Sequence, residues 1–150
     1  MIDPAWLRRT CEQNSTKIGR QFEDLALNFF YAMGIDLWGN FAVPLGVAGR
    51  KKTHRFDLGS EDPAILVECK AHSWTLGAAM PSAKLTFWNE AMCYFHVAPR
   101  RYRKILFVLK QVRRGESLAA CYLRIYDHLV PDDVELWEFD AATRTGERLR

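Results

Sequence analysis

Between Ser15 and Met33, apolar residues recur at helical spacing. Ile18, Phe22, Leu25, Phe29 and Met33 fall in one stripe of a 3.6-residue repeat. Asn14, Ser15 and Thr16 are residue types that cap a helix start, and Gly34 stands where a helix favours left-handed backbone at its end. The period then changes. Residues 37–43 predict a strand, GVAGRKK a basic loop, HRFDLG a second strand, SEDP a turn and AILVECKAH a third strand, the last two strands closing as a hairpin. After a loop at 77–81, Leu85, Trp88, Met92 and Phe95 mark a second helix over 82–96. KILFVLK has no polar alternation inside it and predicts a strand buried on both faces. Leu118, Cys121, Tyr122, Ile125 and Leu129 define a third helix stopped by Pro131, and VELWEF a final strand. The last strand–helix–strand unit predicts a right-handed parallel crossover. The class is therefore α/β or α+β, a small mixed sheet with helices on its faces in the order α-β-β-β-α-β-α-β. One domain over 15–140 is expected, with an N-terminal segment 1–14 before it and a polar, frayed tail 141–150 after it.

The third strand interrupts its own apolar pattern. Ile65, Val67, Cys69 and Ala71 share one face and suit a core, while Leu66, Glu68, Lys70 and His72 share the other. Folding back through SEDP brings Asp57 near Leu66 or Glu68, depending on the turn. The first helix adds a further acid. Counting ~100° per residue from Ile18, Phe22, Leu25, Phe29 and Met33 span about −20° to 60°, and Glu23 falls near 140°, between Phe30 and Leu27. Three carboxylates and one ammonium carry a net charge of about −2, and two like charges ~4 Å apart repel by roughly 4 kcal/mol at an effective dielectric near 20. Such a cluster suits a divalent cation, and an all-oxygen ligand set favours Mg²⁺, with Mn²⁺ as a substitute, over zinc. Magnesium shared with a phosphate, beside a lysine that holds a water, is equipment for phosphodiester hydrolysis.

Asp57, then Glu68-Cys69-Lys70 after an apolar run, with Glu23 on the preceding helix, resembles the PD-(D/E)xK nuclease superfamily over roughly residues 15–110. Glu68-Cys69-Lys70 is the chain's single acidic-x-lysine triplet, and Phe56 stands where the motif's proline would be. The resemblance implies a restriction-endonuclease-like fold. It implies that Asp57, Glu68 and the backbone carbonyl of Cys69 bind the metal, that Lys70 orients or activates the water, and that Glu23 holds the metal through water or binds a second ion. His72 would touch the scissile phosphate. The implied activity is that of a Mg²⁺-dependent DNA endonuclease, restriction-type or structure-selective. Cutting both strands needs two sites and so predicts a homodimer. The rivals are a catalytically silent nucleic-acid-binding or assembly module of the same fold, and a nuclease acting on RNA or on DNA ends.

Composition and charge narrow this only a little. Apolar residues make up 49% of the 150, enough for a core without cross-links, and the four cysteines stand singly, as free thiols in a reducing compartment would. The first residues show no apolar signal-peptide core, and no apolar run is long enough to span a bilayer, so a cytoplasmic location without membrane association is expected. The net charge of +3 is too small to imply a polyanionic partner by itself, but the basic residues are grouped. Arg50, Lys51, Lys52, His54 and Arg55 form one cluster, and Arg100, Arg101, Arg103 and Lys104 another, around Tyr102. Both are candidate phosphate contacts, and Arg113 with Arg114 makes a smaller group. Plainer explanations exist for each feature alone: an exposed i,i+2 ion pair for Glu68 and Lys70, a turn-flanking Asp57, an arginine partner for Glu23, solvated strand ends for the basic groups. Their joint placement on three elements favours the site. His54, His96 and His128 read as ordinary, His72 as a local hydrogen-bond partner rather than a catalyst, and Trp88, Phe87 and Tyr94 as core rather than a stacking platform.

Overall fold

The computed structural model describes residues 15–77 and 79–150; the segment 1–14, with Cys11 and the candidate cap Asn14, lies outside them. The chain runs α1 (Ser15–Ala32), β1 (Trp38–Leu45), β2 (Lys52–Glu61), β3 (Ala64–Lys70), α2 (Ser82–Val97), β4 (Arg103–Leu109), β5 (Val112–Arg113), β6 (Glu116–Ser117), α3 (Leu118–Tyr126) with a 3₁₀ turn (Asp127–Leu129), β7 (Val134–Asp140) and β8 (Thr145–Arg148). Six strands form one mixed sheet in the order β1-β2-β3-β4-β7-β8, while β5 and β6 make a separate small hairpin. The central strands β3, β4 and β7 are parallel, and the flanking pairs are antiparallel. Among the described residues the protein is thus mixed α+β, a six-stranded mixed sheet with three helices.

The faces of the sheet are filled from different parts of the sequence. On β4, Ile105, Phe107 and Leu109 pack with Phe22, Ala26 and Phe30 of α1. Leu106 and Val108 point the other way, into a larger cluster with Leu85, Trp88, Met92 and Phe95 of α2 and Leu118 and Tyr122 of α3. The unbroken apolar run of KILFVLK follows from this double burial. Ser117 caps α3, its side chain accepting the Ala120 N–H at 3.1 Å. Among the described residues, no helix is long and apolar enough to cross a membrane.

Several expectations change. The strands β5, β6 and β8 add to the expected order, and the third helix ends at Tyr126, leaving Leu129 exposed in the 3₁₀ turn. The buried centre of α1 is Phe22, Ala26 and Phe30, whereas Ile18, Leu25 and Phe29 are only partly covered and Met33 is exposed. The stripe is rotated by roughly 60° from the expected one, because small Ala26 lets the helix approach β3 closely while Met33 has run past the sheet. The rotation moves Glu23 to the margin of the buried face. The tail 141–150 is not frayed. β8 pairs with β7 from Trp137↔Arg148 to Asp140↔Thr145, Leu149 packs against the α2–α3 cluster, and the Arg150 guanidinium donates to the carbonyls of Val130, Pro131 and Val134 and to Asp127. Its stability comes from backbone pairing and one arginine, so no hydrophobic pattern advertises it. Phe87, expected in the core, is exposed, while Trp88 beside it is fully buried.

Candidate metal centre

The candidate site begins with a break in strand alternation. Phe56 packs in the α2–α3 cluster and Leu58, two residues on, in the α1 cluster. A regular strand would put both on one face. β2 therefore turns over at Asp57. The β1–β2 ladder passes over Asn40 at the same level, and Asn40 has φ +56°, the left-handed backbone that asparagine tolerates better than most residues. The β2–β3 ladder stops at Leu58↔Val67. Beyond it β2 continues with β1 alone, while β3 continues with β4 as far as Lys70↔Val108. The two strands of the hairpin fork.

Asp57 sits in the crotch of that fork. Its Oδ2 accepts the Cys69 N–H at 2.7 Å, so a carboxylate takes a backbone donor freed by the end of the ladder. Of the two positions expected for it, the register extends to Glu68 rather than Leu66. Glu68 is buried, with 5% of its surface exposed; its Oε1 lies 3.1 Å from His54 Nε2, and its Oε2 accepts from Lys70 Nζ at 3.1 Å. Glu23 reaches the fork from α1. A cleft of about 540 Å³ is lined by Thr16, Gly19, Arg20 and Glu23 on the helix side and by Asn40, Arg55, Phe56 and Asp57 on the strand side.

The four charged groups feel one another. Burial, then the charge of Glu68, pushes Asp57 up to about 7, against the opposing pull of the Cys69 N–H and Lys70. Glu23 is raised by burial and by the charges of Asp24 and Glu68. Burial acts on Glu68 in the same upward sense, but the hydrogen bonds from His54 and Lys70 and the Lys70 charge outweigh it and hold its carboxyl low. Lys70 is raised, because Glu68 and Asp57 more than offset its burial. At neutral pH the fork thus holds one firmly ionised carboxylate, one ammonium and an aspartate whose charge is costly.

These residues fit a hard divalent cation. A cation would offset the burial and the Glu68 charge that raise Asp57, and Asp57 Oδ1, the Glu68 oxygens and nearby backbone carbonyls are oxygen donors. Among the described residues, no three His, Cys, Asp or Glu groups stand together as a ready-made ligand set. As placed, Glu68 is turned toward His54 and Lys70, and a cation would share it with them.

The remaining candidates are dispersed. His72 lies past the end of β3; its Nδ1 accepts from Trp88 Nε1 at 2.8 Å, and burial with the charges of Lys70 and Lys84 lowers it to about 4, so it is neutral and engaged. Arg55 lines the cleft, its Nη1 donating to the Asn40 carbonyl at 3.3 Å. Arg50, Lys51 and Lys52 are exposed around the β1–β2 turn. The second basic cluster is largely committed to structure. Arg101 pairs with Glu61, Arg103 forks onto Glu135 at 2.7 and 2.9 Å, and Lys104, only 2% exposed, reaches Asp133 at 2.6 Å. Tyr102 is buried and donates to Glu61. Arg103 begins β4 opposite Ile65, five residues from the Val108–Lys70 row and so about 17 Å from it along the strand. Arg100 is exposed at that same remote end. The residue that sequence reasoning passed over is His54, on the α2 side of β2 and bonded to Glu68. Its position two before Phe56 on one strand face was the available signal. Cys69, Cys93 and Cys121 are free thiols.

No family model matches the chain, and no curated protein or solved structure matches it.

Proposed function

We propose that the protein is a Mg²⁺-dependent DNA endonuclease with a restriction-endonuclease-like fold, its centre built from Asp57, Glu68, Lys70 and Glu23. The reading rests on one observation: the forked hairpin gathers the buried Glu68, the half-buried Asp57 and a lysine beside a cleft, where burial and Glu68 push Asp57 up to about 7. Crowding of that kind is costly in a purely structural position and useful around a cation. Asp57 and Glu68, with the Cys69 carbonyl, would hold the metal, and Glu23 across the cleft would hold its water. A bound Mg²⁺ supplies neutralisation of phosphate charge and acidifies a water. Lys70, kept protonated by Glu68 and Asp57, orients the attacking water through its ammonium donors. Arg55 and Arg20 at the cleft rim attract the phosphate backbone. Cleavage of both strands calls for a homodimer with two such centres.

The test is incubation of supercoiled plasmid with Mg²⁺ or Mn²⁺. Nicking is expected for the native chain, with loss of about 100-fold or more in Lys70→Ala and Asp57→Ala, the scale of removing a group that stabilises or activates the reacting atoms. A panel of linear duplex, flap, four-way junction, single-stranded DNA and RNA assigns the substrate. Binding without cutting across that panel would replace this reading with a silent nucleic-acid-binding module.

A further inference from the structure

Glu68 is not held by Lys70 alone. His54 Nε2 lies 3.1 Å from Oε1, opposite the Lys70 contact on Oε2, so the carboxylate is gripped from both sides. The His54 ring is itself fixed. It stacks on Tyr94 with centroids 3.7 Å apart and planes 16° from parallel, and meets the Phe56 ring edge-on at 4.6 Å. Tyr94 belongs to α2, and its hydroxyl donates to Glu90 one turn earlier at 3.0 Å. A continuous chain of contacts therefore links the outer surface of α2 to the fork.

We propose that His54 is a positioning residue for the Glu68 carboxylate, its ring held by the Tyr94 stack so that Glu68 meets a divalent cation already oriented. The inference rests on the metal-dependent reading of the site. A carboxylate on a flexible stem loses rotamer freedom when it binds an ion, and fixing it beforehand removes that cost. Each carboxylate oxygen has two acceptor directions, so one bond from His54 and one from Lys70 leave a direction open on both oxygens. Hydrogen bonds to ligating carboxylates orient them and typically matter by 10- to 100-fold in metal affinity. His54 is not placed as the reacting base, because the nitrogen nearest the fork is occupied by Glu68. It acts through that carboxylate.

The experiment measures Mn²⁺ affinity by calorimetry at one pH for the full chain and four variants, with metal-free melting curves beside each. His54→Gln keeps an N–H donor at similar reach and is expected to bind near the native affinity. His54→Ala is expected to weaken binding about 10- to 100-fold. Tyr94→Phe keeps the ring and should bind like the native protein, whereas Tyr94→Leu removes the stack and should fall between native and His54→Ala. If His54→Ala fails to fold, the Tyr94 pair carries the test. Affinity unchanged or raised in His54→Ala overturns the inference. So does His54→Gln binding as weakly as His54→Ala, which would make the imidazole a ligand, and so does Tyr94→Phe binding as weakly as Tyr94→Leu. A native chain that takes up no Mn²⁺ overturns the metal-dependent reading itself, a result distinct from native binding that His54 does not influence.

Discussion

Asp57 is a carboxyl whose ionisation is costly in the fold. Its carboxyl is lifted from 3.8 to about 7, first by burial and then by the Glu68 charge. Below the unfolded value both states are protonated, and the raised carboxyl has no effect on stability. Between about pH 4 and pH 7 the unfolded chain releases a proton that the folded chain retains, so stability falls as pH rises across that window. Above it the penalty is constant. Glu68, held low, works in the opposite sense: it contributes stability above its ordinary range that is lost on acidification. Asp57→Asn keeps an acceptor for the Cys69 N–H and removes the charge. It is expected to melt higher than the native protein at pH 8 and to show no advantage near pH 3. The gain is a few kcal/mol at most, because each tenfold change in acidity is worth about 1.4 kcal/mol. Melting curves from pH 3 to pH 8 check this, and a gain that does not grow with pH would refute the raised carboxyl. On the proposed metal reading Mg²⁺ takes the ionised aspartate, so the rise in melting temperature it gives the native chain should be larger at pH 8 than at pH 6 and absent in Asp57→Asn.

At the scale of elements, the fork depends on close packing where β2 turns over. Gly59 pairs with Trp38 on β1 and Leu66 on β3, and a Cβ there would land in the ring of Phe41. Phe41 faces Phe56 across the β1–β2 ladder and reaches the buried Tyr102, so the ring has little room to move aside. Gly59→Ala is expected to cost about 1–3 kcal/mol by overpacking, read as a lower midpoint in urea, and to weaken metal binding by shifting the strand that carries Asp57. A midpoint equal to the native one would show that the ring yields. The same elements indicate what a sequence can convey. A period of 3.6 betrayed α1 and α2, and unbroken apolar runs betrayed β3 and β4, since burial on one face or on two leaves a direct mark on residue choice. The acidic-x-lysine triplet stood out because Glu68 and Lys70 break an apolar strand. The fork itself left no mark of that kind. It arises from a ladder that ends at Leu58↔Val67, a tertiary event, and only then does Asp57 meet the Cys69 N–H. The phase of α1 was likewise set by which of its side chains are small enough to approach β3, and β8 by backbone bonds to β7.

Across the whole molecule, the two ends of the sheet have different electrostatic duties. The candidate centre lies at the carboxyl end of β3, where the parallel strands end and where ligands of open α/β sheets commonly bind. Arg55 and Arg20 stand there, on the cleft. At the amino end of β4, the guanidinium of Arg103 and the ammonium of Lys104 are spent on Glu135 and Asp133, and Glu135 also takes a hydrogen bond from Trp137. Sequence grouped both sets as basic clusters, because adjacency in the chain does not reveal which cations already have carboxylate partners on another strand. Salt dependence separates the two. In duplex DNA binding measured in Ca²⁺ between 50 and 200 mM salt, each phosphate contact contributes a slope of roughly −0.9 in log K against log salt. Arg55→Ala is expected to reduce the slope by about one contact with little loss of stability. Arg103→Ala should leave the slope unchanged and lower the melting temperature, because Glu135, only partly exposed, loses its two-pronged partner. Equal slopes in all three proteins would remove Arg55 from the binding surface, and a slope altered only by Arg103→Ala would move that surface to the opposite end of the sheet, away from the acids of the fork.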